Sequence, residues 1–523
     1  MSGDLPTGWV ESTLVEVIVA LESGSRPRGG VRGIAEGIPS IGGEHLNYNG
    51  GFNFNSVKYV PHQFAASMNR GQIQINDILV VKDGATTGKT AFVDSTFPFK
   101  QAVVNEHVFI CRPTTQIIPE FLFRFLSSKD GQERILENFK GSAQGGINQT
   151  FAANTEIPLA PLSEQKRIMA KVEKLLAKVD ASRTRLEKIP ILLKRFRQSV
   201  LAAACSGRLT ADWREKHLDV EPAAELFAKL KVDRQRRYAA ECKEADTVGR
   251  RQPKNPDTNK RSRNLVNELP DLPETWGYYR LEELCHLITD GTHKTPIYQD
   301  KGIPFLSVKN VRPFLIRDAD IKFISEQEHK FINTRCNPKR GDILYTKVGA
   351  TFGYAAINNL DYDFSIFVSL ALLKPVVPYF SSKYAELAMN SEIVFQQARE
   401  RISGIGTPDL HLVEIRDFRA PLPPLPEQAE IVHRVEELFA LADRLEARVG
   451  KAGGQVDKLT QSILAKAFRG ELVPQDPNDE PAEKLLARIR SATGSVASKD
   501  GKAPVAAGAR RQRRCGKANS TNE

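Results

Sequence analysis

The chain has 523 residues, 41% hydrophobic and 26% charged, which exceeds one ordinary core and predicts several soluble globular domains. No stretch approaches the roughly 18 uncharged apolar residues of a membrane span, and Asp4 and Glu11 stand where an export signal would be basic. The net charge of +11 suits a polyanionic partner, and six dispersed cysteines without a C-x-x-C pair argue against both a disulfide framework and a zinc site and for reduced thiols in a cytoplasm.

In chain order, residues 1–157 mix short β-like runs, such as Asp77-Ile78-Leu79-Val80-Val81, with Gly/Pro/Asn turns, and end in a helical stretch, Glu120–Phe139. Within them, Gly84-Ala85-Thr86-Thr87-Gly88-Lys89-Thr90 resembles a phosphate-binding loop. It has three residues between its glycines where four are needed for successive N–H groups to wrap a phosphate, so a turn between strands is the better reading.

Residues 158–230 form a helical region. Ser163 is the expected N-cap, and a seam then steps by four and three through Ile168, Val172, Leu175, Val179, Ser182, Leu186, Ile189 and Leu193, with only Ser182 not apolar. Pro190 predicts a kink or break. Ser163 to Ile189 would span about 40 Å at ~1.5 Å per residue, close to one DNA turn of ~34–36 Å. Residues 231–267 read as a basic polar linker. From Lys229 to Arg263 there are 12 Lys or Arg against 5 Asp or Glu, or +7.

The rest repeats this plan. Residues 268–420 are a second mixed domain ending in a helical stretch, Ser382–Arg401. Residues 421–490 are a second helical region, and 491–523 a basic tail expected to be disordered. Leu5-Pro6-x-x-Trp9 recurs as Leu272-Pro273-x-x-Trp276, and Pro158-Leu159-Ala160-Pro161-Leu162-Ser163-Glu164-Gln165 as Pro421-Leu422-Pro423-Pro424-Leu425-Pro426-Glu427-Gln428. The second seam is Ile431, Val435, Leu438, Ala442, Leu445 and Val449, each 263 residues after its counterpart. The fold class is therefore α+β: two duplicated α+β domains separated by two long helices that pair as a coiled coil. The alternative is two helices that pack separately onto their domains.

The second copy of the glycine loop, Gly349-Ala350-Thr351-Phe352-Gly353-Tyr354, lacks the lysine, which argues further against a nucleotide site. We find neither an Asn/Asp-Pro-Pro-Tyr/Phe motif nor His-Glu-x-x-His. No catalytic or metal residue is assigned. Candidate DNA-contacting residues are Arg26, Arg28, Arg32, His45, Asn47, Lys82 and Lys89 in the first domain, and His293, Lys294, Thr295, Lys309, Asn310, Arg312 and Lys347 in the second. They are the residue types that read base edges or bind phosphates, clustered in corresponding loops.

The repeat, the Pro-Leu-x-x-x-x-Glu-Gln helix starts, the Asp77-Ile78-Leu79 and Gly341-Asp342-Ile343-Leu344 runs before Gly-Ala-Thr-x-Gly, and Ser199–Leu209 with its echo at 462–472 together resemble the specificity subunit of a Type I restriction–modification system. The likeness spans roughly residues 1–490. It implies two target-recognition domains, each reading half of a split asymmetric site in double-stranded DNA. It also implies that the two helices form an antiparallel coiled coil and dock two modification (methyltransferase) subunits, with restriction (translocase/endonuclease) subunits added. S-adenosylmethionine, ATP and magnesium would belong to those partners, with no cofactor in this chain. The alternative is a non-catalytic coiled-coil adaptor with two protein-binding domains.

Overall fold

In the computed structural model, residues 5–141, 145–249, 252–253, 255, 269–402 and 408–497 are described. They divide into two compact units: one takes the chain up to Arg185 and again from Ala452, the other is Leu186–Lys451. Each contains one mixed domain and parts of both long helices, Leu162–Cys205 and Leu425–Phe468, of 44 residues each.

The two domains share one plan. In the first, an antiparallel four-stranded sheet runs in the order Ile18–Ser23, Val108–Pro113, Ile78–Val81, Thr90–Phe92. A three-stranded sheet places Ile38–Ile41 between Lys58–Val60 (antiparallel) and Val103–Val104 (parallel). Val10–Thr13 pairs with Glu156–Leu159. In the second domain the same orders recur with Cys285–Asp290, Leu370–Pro375, Ile343–Thr346 and Ala355–Ile357, with Ile303–Leu306 between Lys322–Ile324 and Ser365–Ile366, and with Gly277–Arg280 against Arg419–Leu422. It adds a hairpin, Val311–Arg312 with Leu315–Ile316.

Ile78–Val81 is wholly apolar because both of its faces are covered. Ile78 and Val80 enter the core shared with the helices, while Leu79 and Val81 enter a smaller core with Ile41, Val104 and Ile110. Each fully buried side chain of this size contributes about 1.5–3 kcal/mol. The strand opens after a left-handed residue, Asn76 at φ 73° and its counterpart Gly341 at φ 88°. Asparagine tolerates that conformation better than other side chains, which explains why it can replace glycine here.

Each expected terminal helix is two, Pro119–Leu126 with Lys129–Leu136, and Ser382–Met389 with Glu392–Glu400. In the first pair Ser128 closes one helix and starts the next, its Oγ donating to the Phe125 carbonyl and accepting from the Gly131 N–H.

The helices pair antiparallel within each unit. In the first, Ile168, Met169, Val172 and Leu176 share a core with Leu464, Ala467 and Phe468, and Arg183 reaches Asp457 at 2.9 Å. In the second, Val200, Leu201 and Ala204 share a core with Ile431, Val432 and Val435, and Arg197 reaches Asp443 at 2.6 Å and Glu446 at 2.9 Å. These exposed pairs add little stability but mark the register. Both cores also include globular residues, so the seam ends serve helix pairing and domain packing together. Val179 is buried, whereas Leu175, Leu186, Leu438 and Val449 are half-buried, and Leu445, expected in the seam, is 39% exposed.

Three sequence expectations change. The first helix starts at Leu162, so Ser163 lies in its first turn, and it continues through Pro190 without a break. The linker's first 17 residues belong to a helix, Ala223–Thr247, whose Ala223, Leu226, Phe227 and Leu230 are buried on the second domain; much of the rest lies outside the described residues. The tail begins inside the helix Ala482–Ala497, and 498–523 lie outside the described residues.

The repeated motifs are joints. Trp9 Nε1 donates to Glu164 at 3.0 Å, and Trp276 Nε1 to Glu427 at 2.7 Å. Gln165 Oε1 accepts the Ile118 N–H while its amide donates to the Ala160 carbonyl; Gln428 does the same with Ser381 and Pro423. The helices end at left-handed Gly207 and Gly470. A Cβ at either glycine would come within 2.4 Å of Pro273 or Pro6, respectively, so each Leu-Pro motif seats on a helix terminus.

Candidate nucleic-acid interface

One corner of each domain is built on the same backbone hydrogen bonds. Lys82 N–H donates to the His107 carbonyl and Lys347 N–H to that of Ser369; Ile147 N–H donates to Lys82 and Leu410 N–H to Lys347. Gly84 N–H bonds Gly145 as Gly349 N–H bonds Pro408, and Asn105 N–H bonds Ile41 as Phe367 N–H bonds Leu306. Gly24 and Gly291 cross the strand beside them so closely that a Cβ would sit 1.6 Å and 1.9 Å from a carbonyl oxygen.

On this frame the first domain carries Arg26, paired with Glu106, and His107, whose Nδ1 is 2.6 Å from Asp83 and Nε2 3.4 Å from Glu106. Arg26 and His107 are about half exposed, at 54% and 46%. The second domain carries a buried carboxylate, Asp290, bonded by Arg335 and 3.2 Å from His293 Nε2. Lys347 lies 3.7 Å from Asp290 and 3.6 Å from Asp409. Arg335 and His293 are 56% and 63% exposed.

The structure sorts the fourteen candidates. Arg26, Arg28, Arg32, His293, Lys294, Thr295 and Lys309 are exposed, and Arg26 and His293 fall at the two equivalent corners. The others are tied into the fold. His45 is 1% exposed, its Nδ1 accepting the Gly42 N–H and its Nε2 facing the Ser56 carbonyl. Asn310, its counterpart, accepts the Ser307 N–H and donates to the Arg317 and Ala319 carbonyls. Asn47 closes a turn by accepting from Asn49 and Gly51.

Lys89 donates to the Gly43 and Leu46 carbonyls at 3.1 and 2.8 Å, which pulls its ammonium out of the Gly84–Gly88 turn; burial holds its pKa below the usual lysine range. That turn joins Ile78–Val81 to Thr90–Phe92 as a hairpin. Lys82 is half-buried with its ammonium 5.7 Å from the Phe109 ring, Arg312 donates to the Val308 and Val311 carbonyls, and Lys347 is buried among carboxylates. Sequence reasoning missed Asp83, Glu106, His107, Asp290, Arg335 and Asp409. The available signal was the residues flanking Lys82 and Lys347, which change charge between otherwise matching copies.

No helix among the described residues is long and apolar enough to cross a membrane, and no group of three or more His, Cys, Asp or Glu among them could hold a metal ion.

The chain is similar to the specificity subunit of the Type I restriction enzyme EcoKI of Escherichia coli K12, at 28% identity over 94% of this chain and 96% of that one. It is also similar to the EcoDI specificity subunit of Escherichia coli, at 30% over 71% and 76%. Among solved structures it resembles the HsdS subunit from Thermoanaerobacter tengcongensis, with a TM-score of 0.52 at 20% identity over 90% of this chain and 99% of that one. A chain from a study of complex assembly and conformational transition in the type I R-M system gives 0.55 at 21% over 90% and 100%. These last two show the fold. The profile of the Type I restriction modification DNA specificity domain matches twice, at residues 6–190 and 273–451, one match for each copy of the repeat, and the chain belongs to that family.

Proposed function

We propose that this chain is the DNA sequence-recognition subunit of a Type I restriction–modification complex, each domain reading one half of a split, asymmetric site. The observation behind this is that one backbone frame occurs twice in a single chain and carries different charged residues in each copy. Two linked but unlike readers suit a site whose halves are unrelated, whereas two identical subunits would demand a two-fold related site. Affinity comes largely from phosphates and specificity from a few base edges in each half.

The chain itself does no chemistry in this reading. Two modification subunits, carrying S-adenosylmethionine, dock on it and methylate the DNA. Restriction subunits add ATP- and magnesium-dependent translocation and cleavage, and the assembly works in the cytoplasm. Co-expression with the modification subunit followed by methylation mapping tests this. A split, asymmetric motif is expected; a contiguous or palindromic motif, or no complex, overturns it. Adding one heptad to both long helices is expected to change the spacer and leave both half-sites intact.

A further inference from the structure

The two corners separate residues that the fold requires from residues that it does not. The copies agree at the close crossing of Gly24 and Gly291, at left-handed Gly84 and Gly349, and at Lys82 and Lys347. Around them, five positions exchange charge or polarity on a shared frame. Ser23 becomes Asp290, Arg26 His293, Asp83 Val348, Glu106 Val368 and His107 Ser369. The frame is shared while its exposed members Arg26 and His293 are not required by it, so their difference answers to something outside the domain.

The chemistry of the two sets narrows what that is. Each presents planar nitrogen donors at the surface paired with carboxylates: Arg26 with Glu106, and His107 through Nδ1 with Asp83 and Nε2 3.4 Å from Glu106, in one; Arg335 and His293 with buried Asp290 in the other. A phosphate clamp would leave its cations uncompensated. Here Asp83 and Glu106 offset Arg26 and Lys82, and Asp290 and Asp409 offset Arg335 and Lys347, so net attraction for a phosphate backbone is small. What remains is direction, since a carboxylate behind a guanidinium or imidazole fixes which way its remaining N–H groups point. Directed donors serve base edges, where a bidentate arginine distinguishes guanine.

We infer that these corners are the base-reading lips of the two domains, with Arg26 and His107 reading one half-site and His293 and Arg335 the other, while Arg28, Arg32 and Lys294 in the adjoining loops hold phosphates. This rests on the proposed function and specifies where reading takes place.

The test uses the full chain assembled with its modification subunits. Arg26→Ala, His107→Ala, His293→Ala and Arg335→Ala are compared with Arg28→Ala by methylation mapping and by duplex binding over a range of salt. Each lip variant should lose roughly ten- to hundredfold discrimination at a base position in its own half-site. The other half-site and the slope of log affinity against log salt should be unchanged. Arg28→Ala should weaken all sequences alike and lower the slope by about one. Unaltered half-sites in all four lip variants, or a uniform loss across sequences, overturns the inference. A wild-type complex with no split motif overturns the proposed function instead. Arg26 and His293 are exposed and not needed by the core, so their variants keep the test sound even where Arg335→Ala unfolds.

Discussion

Replacing Glu427 with glutamine and, separately, Glu164 with glutamine perturbs the same joint in its two copies, and the outcomes should differ. Glu427 is fully buried and accepts from three donors: Trp276 Nε1 at 2.7 Å, Thr210 Oγ1 at 2.7 Å and Arg214 at 2.5 Å. Glutamine keeps the shape but removes the charge that compensates Arg214, whose side chain is 19% exposed. Breaking a buried ion pair costs about 3–5 kcal/mol. Arg214 keeps its bond to the Gly207 carbonyl and some solvent, so about 3 kcal/mol is the better figure. Glu164 differs: only Trp9 bonds it, its Oε1 has no partner among the described residues, and burial raises its pKa. Glutamine there removes a poorly compensated charge and should cost no more than about 1 kcal/mol. At about 2–4 °C per kcal/mol for units of this size, Glu427→Gln should lower the unfolding midpoint near neutral pH by about 6–12 °C and Glu164→Gln by less than about 4 °C. Equal shifts, or the larger one at Glu164, would refute the reasoning.

Three further outcomes follow from buried titratable groups and the helix interior. His286 is half-buried beside Arg237 and Arg234 and, chiefly through loss of hydration, titrates at about 4, so the fold disfavours its protonated form. Between about pH 6.5 and 4 the unfolded chain binds the extra proton and stability falls with pH; His286→Gln should flatten that limb by about 1–2 kcal/mol after discounting for partial exposure, measured by urea unfolding at several pH values. Glu386 is pushed up to about 7 by burial while accepting the Ile357 N–H, so stability drops as pH rises from about 4.5 to 7. Glu386→Gln keeps the acceptor and should raise the melting temperature at pH 8 but not at pH 4.5. Pro190→Ala restores a donor for the Leu186 carbonyl in an unbroken helix and should stabilise by about 1–3 kcal/mol in denaturant titration.

What could be read from the sequence was set by local pattern. The 4-3 seam placed Ile168, Val172, Ile431 and Val435 in the cores, because helix periodicity alone assigns a face. The repeated Glu-Gln and Leu-Pro motifs were visible as repeats, but their work as joints was not, since Trp9 and Glu164 stand 155 residues apart. Which polar candidates are tied into the fold was hidden for the same reason. His45, Asn310, Lys89 and Lys347 have the residue types of a DNA contact, and only the tertiary fold turns them inward onto carbonyls and carboxylates. At Pro190 the helix does not break, because its missing N–H costs one bond, which 44 residues of packed helix absorb.

The residues that match between copies and those that differ also differ in what they cost to change. The joints are buried: Glu427 and Gln428 are inaccessible, and altering them costs kilocalories. The corner residues that differ most visibly, Arg26 and His293, are more than half exposed, where substitutions usually stay within about 0.5 kcal/mol. A domain built this way can change what its corner presents without loosening its attachment to the helices. The two copies are one instance of that freedom, since Asp83 and His107 in one and Val348 and Ser369 in the other occupy the same hydrogen-bonded frame. The same logic predicts which exchanges should fail. Asp290, at 3% exposure beneath Arg335, belongs to both classes, so Asp290→Ser, the first domain's residue, should lose stability unless Arg335 and Lys347 are neutralised with it.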